Sequence, residues 1–437
     1  MTSTTPELRL LAPRYLWTTI GSNALIFLAA FEALAVTTVM PVISRELHGQ
    51  ALYSLGFSGN LAASIIGMVV AGGWSDRRGP AGSLVTATVT FLAGLLVAGL
   101  APDMTVFIVG RFLQGLGSGA IIVALYVVIA RVYPAALHPR IFGVFAAMWV
   151  VPSLVGPPVA GFIADTVSWH WVFLGVAGLV VLASALMVPV FRDLEPSAAP
   201  GNRGDGWRVV WAVVAAAGVL AVSLGGSLWL PIVGFVVVVI AIRPLLPSGT
   251  LIVRRGLPST ILLRGAVAAT FFATEIYLPY LLTSRYGLPS WAAGLILTVG
   301  AVSWALGSWI QGRLERMSHH TALRIGAVLL VLGVTVEFVT AFWLLSPVIA
   351  GVGWFLAGGG MGIIFPRLNT LVLASSGDGE QGANTAAMSI ADAAGGAVSI
   401  AVAGLLFTAT SGSFAVALGY TAVVGVASVV VAVRARA

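Results

Sequence analysis

The chain has 437 residues, of which 59% are hydrophobic and only 8% are charged, and its mean hydropathy is +1.03. A soluble domain carries roughly a quarter of its residues as charges, so this composition excludes an ordinary soluble protein and predicts one that crosses a membrane many times. The net charge of +7 comes from 22 arginines scattered at the ends of apolar runs, which argues against nucleic-acid binding, and the lack of cysteine excludes disulfides and thiolate metal sites.

Long apolar runs, separated by Pro, Gly and Arg, recur along the whole chain and predict fourteen transmembrane helices. The pair at 209–246 is the weakest prediction, because its runs are short and are joined by the glycine-containing "SLGGSLW". We expect the spans at 16–40, 51–72, 82–101, 105–130, 140–163, 170–190, 209–226, 229–246, 262–283, 289–311, 322–344, 346–368, 383–408 and 413–433.

The distribution of arginine predicts the orientation of these spans. With a cytoplasmic N-terminus, 19 arginines fall on the cytoplasmic side, only Arg45 and Arg285 fall outside, and Arg111 lies within a span. Such a bias follows the positive-inside rule, and removing one span would destroy it. The sequence therefore predicts a multi-pass protein of the cytoplasmic (inner) membrane, with an even number of spans and both termini in the cytoplasm.

The polar stretches divide the predicted spans into three groups. "FRDLEPSAAPGNRGDGWR" (191–208) has the Pro, Gly and mixed charge of a flexible cytoplasmic linker, and a second basic stretch precedes the last six spans. We predict a six-helix bundle at 1–190, linkers with an inserted helix pair at 191–261, and a second six-helix bundle at 262–437.

An internal repeat relates the two bundles. "GWSDRR" (Gly73–Arg78) and "GRLERM" (Gly312–Met317) each end the second span of a bundle, and a glutamate precedes each of them in the first span, Glu32 and Glu275. Repeated halves that enclose a site near the membrane midplane are typical of secondary transporters.

Three motifs lie in the first bundle. "GGWSDRRG" (Gly72–Gly79) combines glycines for close helix approach with charges at the cytoplasmic interface, although an ordinary basic turn would have the same composition. "GRFLQGLGSGA" (Gly110–Ala120) places Arg111 and Gln114 on one helical face, where an arginine needs a partner or a path to the outer interface. "WVVPSLVGPPVAGFIAD" (Trp149–Asp165) holds three prolines, which kink a helix and suit either a moving element or a merely bent one.

These motifs make the chain resemble the major facilitator superfamily, and within it the fourteen-span drug:proton antiporters. The first-span stretch "FEALAVTTVMP" is a looser match, with Glu32 at the place of that family's aspartate. Pro80 stands where the family's loop motif continues with a basic residue, and Ala160 replaces a glycine of the fifth-span motif. The resemblance implies two rocking bundles and conformational roles for Gly72, Asp76, Arg77, Gly79, Gly115, Gly156, Pro157 and Gly161.

Four acids lie within predicted spans, where burial favours the neutral form of a carboxyl and makes it able to exchange protons. The resemblance places Glu32, Glu275 and Arg111 on spans that line the cavity, and we assign them to proton coupling. Asp392 joins them, although its polar, small-residue stripe also fits helix packing. Glu337 is expected near the outer end of a peripheral span, in reach of water.

The sequence thus predicts a proton-driven exporter of hydrophobic or cationic small molecules that works by alternating access. The alternatives are a transporter of one endogenous metabolite or lipid, and a membrane receptor that transports nothing. We expect no enzymatic activity, no metal and no cofactor other than the proton gradient, a lipid bilayer, protons and a small molecule as partners, and a monomer. The substrate cavity is predicted to include Phe31, Gln114, Trp149, Phe271, Phe272 and Tyr277.

Overall fold

A computed structural model describes residues 10–193, 205–224, 229–314, 317–377 and 380–435. Within these ranges the regular structure is helical throughout, with short 3-10 turns between some helices. The α-helices are α1 (Leu16–Glu46), α2 (Leu55–Arg78), α3 (Pro80–Gly99), α4 (Met104–Val132), α5 (His138–Thr166), α6 (His170–Asp193), α7 (Asp205–Leu224), α8 (Trp229–Ile242), α9 (Leu257–Arg285), α10 (Ser290–Arg313), α11 (His319–Trp343), α12 (Pro347–Ala374), α13 (Gln381–Ala409) and α14 (Phe414–Arg434).

Each of the fourteen predicted spans corresponds to one of these helices, so the chain is a multi-pass membrane protein. Among the described residues, thirteen helices are long and apolar enough to cross a membrane, and the exception is α8, which has 14 residues. The predicted end of the first span was wrong by six residues, because α1 continues through Pro41 to Glu46. Part of the predicted linker (194–204) and part of "GRLERM" (315–316) lie outside the described residues.

Successive helices run in opposite directions, so the structure has two sides. Tyr133, after α4, hydrogen-bonds Thr19 near the start of α1, and Ser259 in α9 bonds the backbone of Arg434 at the end of α14. We call the side that carries the start of α1 and the end of α14 the terminus side, and the opposite side the distal side.

The helices form two groups that pack in the same manner, with a hairpin beside them. In the N-terminal half, α4 packs between α2 and α3, and α1 packs on α5 and α6. In the C-terminal half, α12 packs between α10 and α11, and α9 packs on α13 and α14. The hairpin of α7 and α8 joins them through α7, which contacts both α2 and α13.

Several backbone and side-chain contacts join the two halves at the distal side. The Gly161 backbone meets the backbone of Ser290 and Trp291, where an added methyl group would come within 2.5 Å of Trp291 N, and Thr298 bonds the Leu154 carbonyl at 3.1 Å. Just after α1, the Tyr53 hydroxyl donates a 2.7 Å hydrogen bond to the Ile276 carbonyl of α9. These contacts hold the distal ends of the two halves together.

Candidate functional site

Glu32 and Arg111 form a buried ion pair between α1 and α4 of the N-terminal half. Both side chains are only 3% exposed. The same guanidinium nitrogen, Nη1, also donates to the Gln114 side-chain oxygen, and Nε donates a 3.1 Å hydrogen bond to the Gly56 carbonyl of α2. We call Glu32, Arg111 and Gln114 the Glu32 cluster.

The cluster joins three helices and contains one unused donor. Asn60 of α2 donates a 2.9 Å hydrogen bond to the backbone carbonyl of Arg111, which fixes α2 against α4 at the level of the pair. The Gln114 side-chain nitrogen is buried and makes no hydrogen bond to a described residue. A buried ion pair whose partners are separated costs several kcal/mol, roughly 3–5, so Glu32 and Arg111 depend strongly on one another.

Glycines bring α4 close enough to its neighbours to place the arginine. A methyl group added to Gly115 would lie 2.0 Å from the Asn60 carbonyl oxygen, and one added to Gly119 would lie 2.2 Å from that of Ser64. Only glycine at these positions lets the two backbones touch, as in other close crossings of membrane helices. Gly115, predicted as a conformational residue, therefore sits one turn from Arg111 at the tightest α2–α4 contact.

The predicted motif on α5 faces two partners. Gly156 contacts the Phe31 ring of α1, which lies beside Glu32 in sequence, at 3.5 Å from an added methyl position. Pro157 lies against Gly294 of α10, and Gly161 against the start of the same helix. Helix α5 is continuous across its three internal prolines, and the motif contacts both halves of the protein.

The loop motif after α2 combines a helix end with exposed charges. Gly79 has φ of +85°, a conformation that favours glycine, and its backbone N–H caps α2 by bonding the Ser75 carbonyl at 3.0 Å. Gly72 is loosely packed, with only Val123 near an added methyl position, at 3.9 Å. Asp76 and Arg77 are exposed on the terminus side.

Glu275, on α9, has surroundings unlike those of Glu32. It is half-buried and makes no hydrogen bond or ion pair to any residue that the structure describes. Phe272, one turn earlier, is partly buried and packs near Gly396 of α13, 3.2 Å from an added methyl position. The C-terminal half thus presents an unpaired carboxyl next to an aromatic ring.

Asp392 forms a second ion pair, with Arg264 of α9. The Arg264 Nε donates to the carboxylate at 2.6 Å, its Nη1 donates to the Asn369 side chain at 3.2 Å, and its guanidinium lies 3.3 Å from the centre of the Phe365 ring. The two side chains are 13% and 21% exposed, and the guanidinium is within electrostatic range of Tyr126 on α4 of the other half. The sequence did not predict this pair, because Arg264 matched an ordinary positive-inside arginine.

The predicted aromatic residues occupy different environments. Phe271 is buried and stacks on Trp354 with ring centres 4.5 Å apart, inside the C-terminal half. Tyr277 is buried in a distal cluster with Tyr53 and Phe407. Trp149 is 43% exposed on α5.

Glu337 does not reach water, contrary to the expectation from its sequence position. Its side chain is 0% exposed, and neither carboxylate oxygen has a hydrogen-bond partner among the described residues. The reason is close packing of α11 on α12, since a methyl group added to Gly353 would lie 3.0 Å from the Glu337 Oε1. A glycine on a neighbouring helix, which hydropathy does not register, removes this carboxyl from the surface.

Within the described residues, no cluster of three or more His, Asp or Glu side chains could hold a metal ion.

Comparisons with known proteins match this architecture. The family model for the major facilitator superfamily matches residues 23–400. The chain is similar to the multidrug transporter protein MdtP of Bacillus subtilis (25% identity, covering 89% of this chain and 74% of that protein) and the multidrug efflux pump SdrM of Staphylococcus aureus (23%, covering 81% of each). It is also similar to a probable multidrug-efflux transporter of Mycobacterium tuberculosis (28%, covering 95% of this chain and 93% of that protein).

Solved structures share the fold at low sequence identity. The chain superposes on a POT family transporter in complex with 5-aminolevulinic acid with a TM-score of 0.69 at 14% identity, covering 94% of each chain. A D-xylose-proton symporter gives a TM-score of 0.67 at 15% identity, covering 95% of this chain and 96% of that one.

Proposed function

Because the chain belongs to the major facilitator superfamily, we propose that it is a proton-driven antiporter that exports hydrophobic or cationic small molecules. The observation that carries the proposal is the buried Glu32–Arg111 ion pair, which lies on α1 and α4 beside Phe31 and the motif of α5. The efflux direction is supported by the relatives, three of which are named as multidrug transporters or efflux proteins.

In the proposed mechanism the Glu32 cluster exchanges a proton for the cargo. With Glu32 ionised, Arg111 is neutralised and holds α1 against α4 and α2 through Gly56. Protonation of Glu32 breaks the ion pair. Arg111 then keeps only its hydrogen bonds to the Gln114 oxygen and the Gly56 carbonyl, which do not neutralise its charge. The cost of this buried, unpaired cation favours either release of the proton or a rearrangement of α1 and α4, and such a dependence couples protonation to conformation.

The described conformation suits one step of alternating access. We propose that the termini are cytoplasmic, so the distal contacts through Gly161, Thr298 and Tyr53 close the outer side. The two halves, 1–190 and 262–437, then separate on the outer side when the protein faces outwards. Protons enter from the outside in that state and leave towards the cytoplasm in the state described.

Glu275 and Phe272 supply the proposed recognition of cations. An unpaired carboxyl in a site of low polarity attracts a cation, and an aromatic face adds to that attraction when the cation is lipophilic. Transport of one endogenous metabolite or lipid is the second candidate, because the identity to the multidrug relatives is only 23–28%. A receptor without transport is the third, and the family match does not favour it.

Purified protein in proteoliposomes tests the proposal directly. A pH gradient is imposed with the acidic side at the distal loops, and it is expected to drive tetraphenylphosphonium, the test substrate, towards that side. Addition of this substrate is expected in turn to dissipate the pH gradient. A rate of tetraphenylphosphonium transport that does not depend on the pH gradient would contradict proton coupling. If the protein transports neither lipophilic cations nor neutral lipophilic compounds but does transport a metabolite or lipid, the second candidate is favoured. If it transports no compound at all, the receptor is favoured.

A further inference from the structure

A cleft of about 230 Å³ lies between α8 and the C-terminal half. Helix α8 packs mainly on α7, and the space on its other face is left open between it and α9 and α13. The wall is almost wholly apolar and includes Val238, Ile242, Gly265, Ala266, Ala394 and Val398. We call this space the α8 cleft.

The cleft lies at the depth of the lipid chains and reaches the terminus side. The end of the cleft that lies deeper in the membrane includes Ser399 of α13 and Tyr420 of α14, and the end on the terminus side includes Thr250 and Leu251, in the loop after α8. An apolar cleft of this kind cannot stay filled with water, and its walls lose dispersion contacts if it stays empty. A hydrocarbon chain from the surrounding bilayer satisfies both conditions.

The loop between α8 and α9 has the features of a membrane-interface element. Leu251 and Ile252 are 37% and 78% exposed, which suits contact with lipid. The loop is nevertheless ordered by backbone hydrogen bonds, from Arg254 N to the Gly249 carbonyl at 3.1 Å and from Ser259 N to the Arg254 carbonyl at 3.0 Å. These hydrogen bonds within the chain fix the shape of the loop.

Three arginines lie close in sequence to residues that line the cleft towards the terminus side. Arg243 directly follows Ile242, which lines the cleft, and Arg254 and Arg255 follow Leu251, which also lines it. All three side chains are exposed, and none makes an ion pair with an acid in the described part of the chain. Basic pockets between transmembrane helices at the membrane surface bind the headgroups of anionic lipids.

We propose that the α8 cleft is a binding site for an anionic phospholipid. One acyl chain fills the cleft between α8, α9 and α13, and the phosphate contacts Arg254 and Arg255, with Arg243 nearby. The bound lipid would then complete the packing of the hairpin against the C-terminal half, where the described residues of α8 pack mainly on α7 and only sparsely on α9 and α13. This assignment does not depend on what the protein transports.

The test uses delipidated full-length protein and native mass spectrometry with phosphatidylglycerol or phosphatidylcholine as the probe. Wild-type protein is expected to retain phosphatidylglycerol at least about tenfold more tightly than phosphatidylcholine. The double variant Arg254→Ala with Arg255→Ala is expected to lose that preference. The control, Arg313→Ala with Arg324→Ala, removes two exposed arginines from the same side and is expected to keep it.

A second variant tests the acyl chain. Ala266→Phe places a ring in the cleft and is expected to weaken binding of both lipids, and Ala266→Val, a smaller change, is expected to do so to a lesser degree. Equal retention of the two lipids by wild-type protein, or unchanged phosphatidylglycerol binding in the arginine double variant, would overturn the proposal. The proposal would also be overturned if tetraphenylphosphonium displaced the bound lipid while Ala266→Phe left lipid binding unchanged.

Discussion

The two halves of the protein are built alike but carry their charges differently. In the N-terminal half, Gly115 on α4 touches the Asn60 carbonyl of α2, and in the C-terminal half Gly358 on α12 touches the Gly300 carbonyl of α10, with added methyl positions at 2.0 and 2.2 Å. An arginine binds carbonyls at a helix end in each half, Arg131 for α2 and Arg367 for α10. Helix packing therefore follows the repeat.

The residue one turn before each of these glycines differs. It is Arg111 in the N-terminal half and Trp354 in the C-terminal half, and each donates a hydrogen bond to a carbonyl of the neighbouring helix, at 3.1 Å to Gly56 and 3.2 Å to Leu297. A tryptophan stands where the repeat would place the cation, and the α9 side chain that packs on it is the uncharged ring of Phe271. Corresponding positions on one packing scheme thus carry different chemistry, and the proposed function assigns proton exchange to the N-terminal half and cation recognition to the C-terminal half.

Of the variants that test the difference between the two halves, Glu32→Gln is expected to have the largest effect on transport. The variant keeps an oxygen for Arg111 to bond but cannot exchange a proton, so we expect pH-driven transport to fall by about 100-fold, near the upper range of coupling between two sites. The measurement is substrate flux in proteoliposomes under an imposed pH gradient. Exchange of substrate without a gradient is expected to persist.

The control for this variant is Glu380→Gln, which changes an exposed carboxyl. It is expected to transport at the wild-type rate. Full pH-driven flux in Glu32→Gln would remove Glu32 from proton coupling and leave it a structural role in holding Arg111.

Gly115→Ala tests the packing that places Arg111. The added methyl group would clash with the Asn60 carbonyl, and we expect the variant to lose about 1–3 kcal/mol of stability or more, as for other overpacked sites. Thermal unfolding of purified protein in detergent is the measurement. The matched control is Gly72→Ala, whose added methyl group meets nothing closer than 3.9 Å, and we expect it to unfold at the same temperature as the wild-type protein. Equal losses in the two variants would show that the α2–α4 crossing does not limit stability.

These contrasts also show how far the sequence could predict the protein. The spans follow from hydropathy, because lipid tolerates few charges, and Glu32 and Arg111 stand out for the same reason. That they pair was not predictable from spacing alone, since it depends on the crossing of α1, α2 and α4. Glu337 was misjudged because its burial depends on a glycine of another helix.

Arg264 illustrates a different limit. Near the start of a span, an arginine that anchors the protein at the interface and one that pairs with an acid of a neighbouring helix have the same sequence environment. Only the packing of α9 against α13 brings Arg264 to Asp392 and separates the two cases.

Glu275→Gln is expected to have a smaller and more selective effect than Glu32→Gln. Removing the unpaired charge should weaken binding of a lipophilic monocation by about tenfold, equivalent to roughly 1.4 kcal/mol. Binding of a neutral lipophilic compound of similar size should not change. Competition with a radiolabelled cation measures both. Equal losses for charged and neutral compounds would mean that Glu275 shapes the cavity instead of recognising charge.

Asp392→Asn is expected to have the smallest effect, because its ion pair with Arg264 is partly exposed. Pairs of this kind contribute only about 0–1 kcal/mol, so we expect thermal stability to change little and pH-driven flux to stay within about threefold of wild type. A double-mutant cycle with Arg264→Gln measures the coupling of the two residues. If Asp392→Asn instead abolished pH-driven flux as Glu32→Gln is expected to do, protons would pass through both halves. The proposed division of the protein into an N-terminal proton site and a C-terminal cation site would then be wrong. Asp392, in the C-terminal half, would exchange protons as Glu32 does in the N-terminal half.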